Sequence, residues 1–486
     1  MTAIAVDTEA GTVRGIVRRG VATWRGIPYA RAPRFRPPVP AEPWTGERDA
    51  TRFGPVAIQS RDPRTAMLSG VTDTIETSED CLALNIFSPA ADAKRRPVAV
   101  WIHGGAFVMG SGSQPMYDGT SFALRHDVVV VTINYRLGLL GLLYLGDLLG
   151  DDYAAGNVAL LDQVAALRWV RDNIARFGGD PSAVTVMGES AGAISVAYLL
   201  AMPAARGLFR RAILQSGASG LSPSTRANAT ATATAICADL GVAAGRLVDL
   251  DVAQLVAAQQ RAAANHALGP VAPYVDGVTV PLPAIELVRA GSGSRVPVLL
   301  GSNRDEWVLF DVFLGDAVTK LVTAQLRSRL GQAADPMQAA YRAARDDRDD
   351  ARAWIDLIGD AVFRIPMIRL AEAHARHAPV WMYRFDWASR ANRLGAAHAL
   401  ELPFTWNTVD QPFAQALLGG DESARPLAAT IHAAWASFIR GEPPDAEGLP
   451  AWPSYDASAR ATMLLDRESR VAEDPGGELR ALWPPT

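Results

Sequence analysis

Val184-Thr185-Val186-Met187-Gly188-Glu189-Ser190-Ala191-Gly192 carries a short β-branched run straight into a serine flanked by glycines, and the apolar segment Ile194 to Met202 follows. This order predicts a strand, a tight turn and a helix. A turn that sharp leaves no room for side chains beside the serine, and it lifts the serine hydroxyl to the carboxyl end of the sheet. The pentapeptide G-x-S-x-G is common by chance; the strand before it and the helix after it give it chemical meaning.

Working outward, other short apolar runs punctuate the chain at Val98 to Ile102, Val128 to Ile133, Ala212 to Leu214 and Val296 to Leu300. Runs of valine and isoleucine without polar alternation suit strands buried on both faces. Between them, Leu161, Val164, Leu167, Val170, Ile174 and Phe177 recur in steps of three and four, which marks a helical face ended by Gly178-Gly179 and Asp180-Pro181. Buried strands alternating with helices predict an α/β fold: a large, mostly parallel central sheet with helices on both faces. Ala/Thr-rich stretches at 227–236 and 259–267 read as helix surface or loop.

The chain has 486 residues, and neither a long repeat nor a linker-like run divides it, so one large domain over 1–486, with helical excursions around an active-site mouth, is the expected organisation. With 49% hydrophobic and 20% charged residues, it has ample material for a core. Lys+Arg of 47 against Asp+Glu of 51 leaves a net charge of −4, which offers no basic surplus for nucleic acid. The apolar stretches around Val128 to Ile133 and Leu137 to Leu149 are broken by polar residues and glycines, so no membrane partner is expected. Two cysteines, Cys81 and Cys237, allow at most one bridge. The first residues carry acids and lack a basic stretch before an apolar run, from which a cytoplasmic location is the expectation.

A serine hydroxyl needs a base, and the base needs an orienting acid. After this kind of turn the chain order is serine, acid, histidine. His103 and His126 precede Ser190, leaving His266, His374, His377, His398 and His432. His374, His377 and His432 sit in helical patterns, where a surface or packed role is the better reading. His398 follows the loop-like Asn392-Arg393-Leu394-Gly395, where catalytic groups belong. For the acid, the run Val296 to Leu300 leads into Gly301-Ser302-Asn303-Arg304-Asp305-Glu306-Trp307, and position alone fits both Asp305 and Glu306. Whichever is not the acid reads as a solvated loop charge beside Arg304. Trp101-Ile102-His103-Gly104-Gly105-Ala106-Phe107 supplies small residues after a buried strand, so that backbone N–H groups can meet a developing oxyanion. His103 then reads as structural.

Trp101 to Phe107, Asn134-Tyr135-Arg136-Leu137-Gly138, Gly156-Asn157 to Gln163, Phe177 to Pro181, Gly188 to Gly192, Gln215-Ser216-Gly217 and His398 to Phe404 together resemble the type B carboxylesterase, cholinesterase-like family of α/β-hydrolases, and most of all its bacterial para-nitrobenzyl esterases. Matches run from Gly26-Ile27-Pro28-Tyr29-Ala30 to Trp452-Pro453-Ser454-Tyr455, nearly the whole chain. The resemblance implies Ser190 as nucleophile, Glu306 as acid and His398 as base. It implies oxyanion donors from Gly105, Ala106 and Ala191, with Glu189 and Ser216 behind them. Arg34 with Glu79, and Arg136 with Asp162, resemble the family's structural ion pairs. Where the family usually has glycine after the acid, this chain has Trp307; with Phe107, Phe310 and Phe313 it is a candidate pocket wall. Cys81 resembles half of a family disulfide whose partner is missing around Val56-Ala57-Ile58-Gln59, so both thiols are expected free.

The implied activity is serine carboxylesterase on a small-molecule ester, needing neither metal nor organic cofactor. Neutral short-acyl, aryl or benzyl esters are the expected substrates, because 56–80, where the family's cholinesterases carry an ammonium-binding tryptophan, contains no Trp, Tyr or Phe. A lipase for longer chains, or a non-catalytic binding protein of the same fold, are the rival readings.

Overall fold

The structure is a computed structural model, and it describes residues 2–61, 75–217, 224–263, 271–344 and 349–484. The chain divides into two compact units: Met1–Ile213 with Ser222–Val296 and Ile439–Gly441, and Leu214–Leu221 with Pro297–Phe438 and Glu442–Thr486.

In the first unit the strands are β1 (Thr2–Asp7), β2 (Thr12–Arg18), β3 (Val21–Pro28), β4 (Ala83–Ser88), β5 (Arg96–Ile102), β6 (Val129–Ile133) and β7 (Gly179–Glu189), in sheet order β1-β2-β3-β4-β6-β5-β7. The first four pair antiparallel, whereas β5 lies parallel to both β6 and β7. Every residue of β6 is buried, as a valine-rich central strand should be. Ile102 pairs with Gly188, so the glycine-rich loop after β5 and the serine turn after β7 leave the sheet side by side. Helix α1 (Val158–Asn173) was expected to bury one face. It does so over a broad arc that takes in Asp162 and Gln163, while Arg168, Arg171 and Asp172 stay exposed on the opposite side. Asp162 can lie there because Arg136 faces it at 2.6 Å, and neither charge could be buried alone. Helix α2 (Ala191–Ala201) starts directly after Ser190; α3 (Arg226–Leu240) carries the Ala/Thr-rich stretch 227–236, and α4 (Val252–Ala263) carries 259–263, the rest of the second stretch lying outside the described residues.

The chain leaves this unit within β8 (Arg211–Gln215). In the second unit β9 (Val298–Asn303), β10 (Val380–Phe385) and β11 (Ala461–Leu465) are parallel, and β12 (Arg470–Glu473) closes the edge antiparallel. Helices α5 (Val308–Leu314), α6 (Asp316–Leu330), α7 (Asp350–Gly359) and α8 (Ile365–His374) lie between β9 and β10 in sequence, and the turn Asp360–Arg364 that joins α7 to α8 is π-helical. Each unit thus combines parallel strands with antiparallel ones, in agreement with the expected α/β class.

Candidate active site

Ser190 has φ 54° and ψ −122°, outside the regions that side-chain-bearing residues favour. Its neighbours show why the turn needs glycine. A Cβ on Gly188 would lie 2.5 Å from the Gly192 carbonyl carbon, and one on Gly192 would lie 2.0 Å from the Ile102 carbonyl oxygen. The oxyanion loop comes equally close: a Cβ on Gly104 would stand 2.6 Å from Glu189 Oε2 and 3.1 Å from Ser190 Cβ. Gly105, Ala106 and Phe107 all have positive φ, at 105°, 53° and 61°. Among the described residues, no protein acceptor engages the N–H of Gly105, Ala106 or Ala191. The Ala191 N–H belongs to the first turn of α2, where intrahelical acceptors are missing.

His103 holds this loop. Its Nδ1 lies 2.8 Å from the Gly104 carbonyl oxygen, its ring stacks on Tyr135 at 4.4 Å, and the Tyr135 hydroxyl donates to the His103 carbonyl at 2.8 Å. A hydrogen bond to a carbonyl requires a protonated Nδ1, and burial pushes the imidazole down to about 4, so the ring is neutral near pH 7. That is the structural histidine the sequence suggested.

In the second unit, β9 delivers Arg304-Asp305-Glu306 at its carboxyl end. Glu306 is buried; its Oε1 accepts the Asn303 backbone N–H at 2.7 Å, and its Oε2 lies 2.6 Å from His398 Nδ1. With Nδ1–H committed to the carboxylate, Nε2 carries the lone pair of a base. The geometry therefore selects Glu306 over Asp305 as the partner of His398. Asp305 is not a solvated loop charge: its side chain is 1% exposed, with Arg304 at 2.9 Å and Arg352 at 3.2 Å.

The remaining histidines fall where the helical reading put them, with one exception. His374 ends α8 and His432 is buried in the helix Ala424–Arg440, but His377 lies in the turn beyond α8. His266 lies outside the described residues. Ser216 is buried with φ 51°, and its Oγ has no protein partner among the described residues. Glu189 is buried beside the oxyanion loop.

The pocket candidates divide. Phe310 faces His398 at 5.1 Å, and Phe107 is buried in the oxyanion loop. Phe313 is half-buried on α5, with no ring contact to His398 among the described residues. Trp307 is fully buried: it stacks on Phe310 at 4.7 Å and donates Nε1–H to Thr319 Oγ1 at 3.1 Å. Its ring packs behind Phe310, which in turn faces His398.

Sequence reasoning missed two groups. Phe363 lies 4.5 Å from His398 on its π-helical turn, and no pattern in the sequence signals that turn. Behind the acid, Asn303 Nδ2 donates to Glu401 Oε2 at 2.7 Å and to the Ala397 carbonyl at 2.6 Å, while Gln215 Nε2 donates to Glu401 Oε1 at 3.1 Å. Gln215 and Glu401 both lie in motifs that carried the resemblance, so a signal existed there. The ion pairs Arg34–Glu79 and Arg136–Asp162 form as that resemblance implied, and both cysteines are free.

Comparison with known proteins gives a consistent result. The model of the carboxylesterase family matches residues 2–483. The chain is 40% identical to the para-nitrobenzyl esterase of Bacillus subtilis, covering 99% of this chain and 98% of that protein. It is 37% identical to the phenmedipham hydrolase of Pseudarthrobacter oxydans, over 96% of each. Among solved structures, a carboxylesterase of Geobacillus stearothermophilus superposes with a TM-score of 0.89 at 41% identity, covering 99% of this chain and all of that one. The chain thus belongs to the carboxylesterase family and is a carboxylic ester hydrolase of the α/β-hydrolase fold.

Proposed function

We propose that Ser190 is the nucleophile, His398 the general base and Glu306 the acid that orients it. Ser190 Oγ attacks the ester carbonyl while His398 Nε2 takes its proton. The carbonyl oxygen becomes an oxyanion received by the N–H groups of Gly105, Ala106 and Ala191. The protonated imidazole then gives its proton to the leaving alkoxide. Water, deprotonated by the same nitrogen, releases the acid and restores the serine. Glu189 and Ser216 support the site from behind. The observation that carries this reading is the backbone of Ser190, held in a costly conformation between two glycines that can bear no side chain. Treatment with an organophosphonate should place a single covalent adduct on Ser190, found by peptide mass spectrometry. An adduct on another serine, or full activity in Ser190→Ala, sinks the mechanism.

For substrate we propose neutral esters with short acyl chains and aryl or benzyl groups. Two relatives, a para-nitrobenzyl esterase and a phenmedipham hydrolase, bear names that point to aromatic substrates. The aromatic groups flanking His398, Phe310 and Phe363, suit such a ring. The absence of Trp, Tyr and Phe from 56–80 argues against a dedicated quaternary-ammonium site. Measured kcat/KM should be no higher for butyrylthiocholine than for an uncharged thioester of the same acyl group; a clear choline preference would refute the substrate reading.

A further inference from the structure

Asp305 engages both backbone polar groups of a single residue in the loop that carries His398. Its own N–H donates to the Ala396 carbonyl at 2.9 Å, and its Oδ2 accepts the Ala396 N–H at 2.9 Å. Two residues later the His398 N–H points at the Glu306 carbonyl at 3.4 Å, and the imidazole meets the Glu306 carboxylate. Adjacent acids thus hold alternate residues of one loop: Asp305 holds Ala396, and Glu306 holds His398. The fit tolerates no extra atom, since a Cβ on Gly395, whose φ is +63°, would stand 2.6 Å from Asp305 Oδ2.

A carboxylate 1% exposed is costly unless it is paired. Arg304 reaches Oδ2 through Nε at 3.2 Å and Nη2 at 2.9 Å, and Arg352 reaches Oδ1 through Nη2 at 3.2 Å. Arg352 stands on α7, whose last residue packs against the same segment: a Cβ on Gly359 would lie 3.4 Å from Glu306 Cβ and from the Trp307 nitrogen. One helix therefore buttresses the acid with its backbone and charges the neighbouring aspartate with a side chain.

We propose that Asp305, kept ionised by Arg304 and Arg352, is a positioning residue that sets loop 395–398 so that His398 meets Glu306. The inference rests on the triad reading above and assigns Asp305 no contact with substrate. Replacing it by asparagine can keep an oxygen for the Ala396 N–H, but it removes the charge that the two guanidiniums answer. The loop then loses its register against Glu306, and small misplacements of a catalytic base cost up to about 100-fold in rate.

The test compares Asp305→Asn, Arg352→Met and Arg352→Lys with the unmodified enzyme on a nitrophenyl ester, normalised to active sites titrated to completion with organophosphonate. We expect kcat per titrated site to fall about 10- to 100-fold in Asp305→Asn with KM nearly unchanged. Arg352→Met should show a smaller fall, part of which Arg352→Lys recovers. A residue of purely structural importance would reduce the number of titrated sites and leave kcat per site intact. Wild-type kcat per site in Asp305→Asn overturns the proposal. If that variant does not fold, the arginine pair decides: equal kcat in Arg352→Met and the unmodified enzyme, or no recovery with lysine, overturns it as well. Ser190→Ala is assayed alongside. If it is inactive while Asp305→Asn is unimpaired, only the positioning role falls; if it is fully active, the triad reading itself has failed.

Discussion

Single residues here bear strain or bulk that their neighbours must absorb. Ser190 sits in a conformation worth about 1–3 kcal/mol of strain, and the glycines beside it make that conformation reachable. Trp307 presents the opposite case, a large side chain sealed among others. It stacks on Phe310, which in turn lies parallel to Phe363 at 5.9 Å, and both phenylalanines face His398. Truncating a fully buried tryptophan costs about 3–5 kcal/mol. Trp307→Ala should therefore lower the unfolding free energy by about that amount in urea titration, and kcat should fall with it because Phe310 loses its support. An unchanged unfolding midpoint would show that the stack is not structural. Legibility at this scale was uneven. Ser190 could be read directly from its glycines, but Asp305 could not, because burial depends on Arg352, 47 residues away in the chain.

At the scale of elements, the apolar runs located strand interiors and missed strand ends. β7 begins at Gly179, not Val184, with a register shift between Arg96 and Val98 near Pro181, and β9 extends through Gly301-Ser302-Asn303. Those residues belong to strands through backbone pairing, which side-chain hydrophobicity does not report. The loop after β5 stood out in the sequence by its small residues, and the structure brings it against Glu189 and Ser190. Its histidine carries a further consequence. His103 has a native value of about 4 against an ordinary 6.5, so between those two pH values the unfolded chain binds a proton that the folded chain refuses. Stability must then rise with pH across this window and fall on acidification, by about 3 kcal/mol at most from this group. Urea unfolding at pH 7 and pH 4.5 should show a smaller loss for His103→Gln than for the unmodified protein. Equal losses would mean that His103 titrates normally.

For the whole molecule, composition set the class and the motifs set the chemistry, while the connections between distant segments came only from the fold. Gln215 donates to Glu401 and Thr405 and accepts from Trp435, while Asn303 also donates to Glu401, and no local pattern links Gln215, Asn303 and Trp435 to Glu401. Which side chains meet in such a buried network is set by tertiary packing, and sequence spacing does not report it. Among the described residues, no helix is long and apolar enough to cross a membrane. The two cysteines remain unbridged, and they differ in accessibility. Cys81 is 1% exposed, and burial raises its thiol far above the ordinary value, so it is both shielded and poorly nucleophilic. Cys237 is half-buried on α3, and its burial also raises the thiol. The native enzyme thereby comes with one addressable sulfur, a ready point for attaching a dye or a solid support with no engineering of the chain.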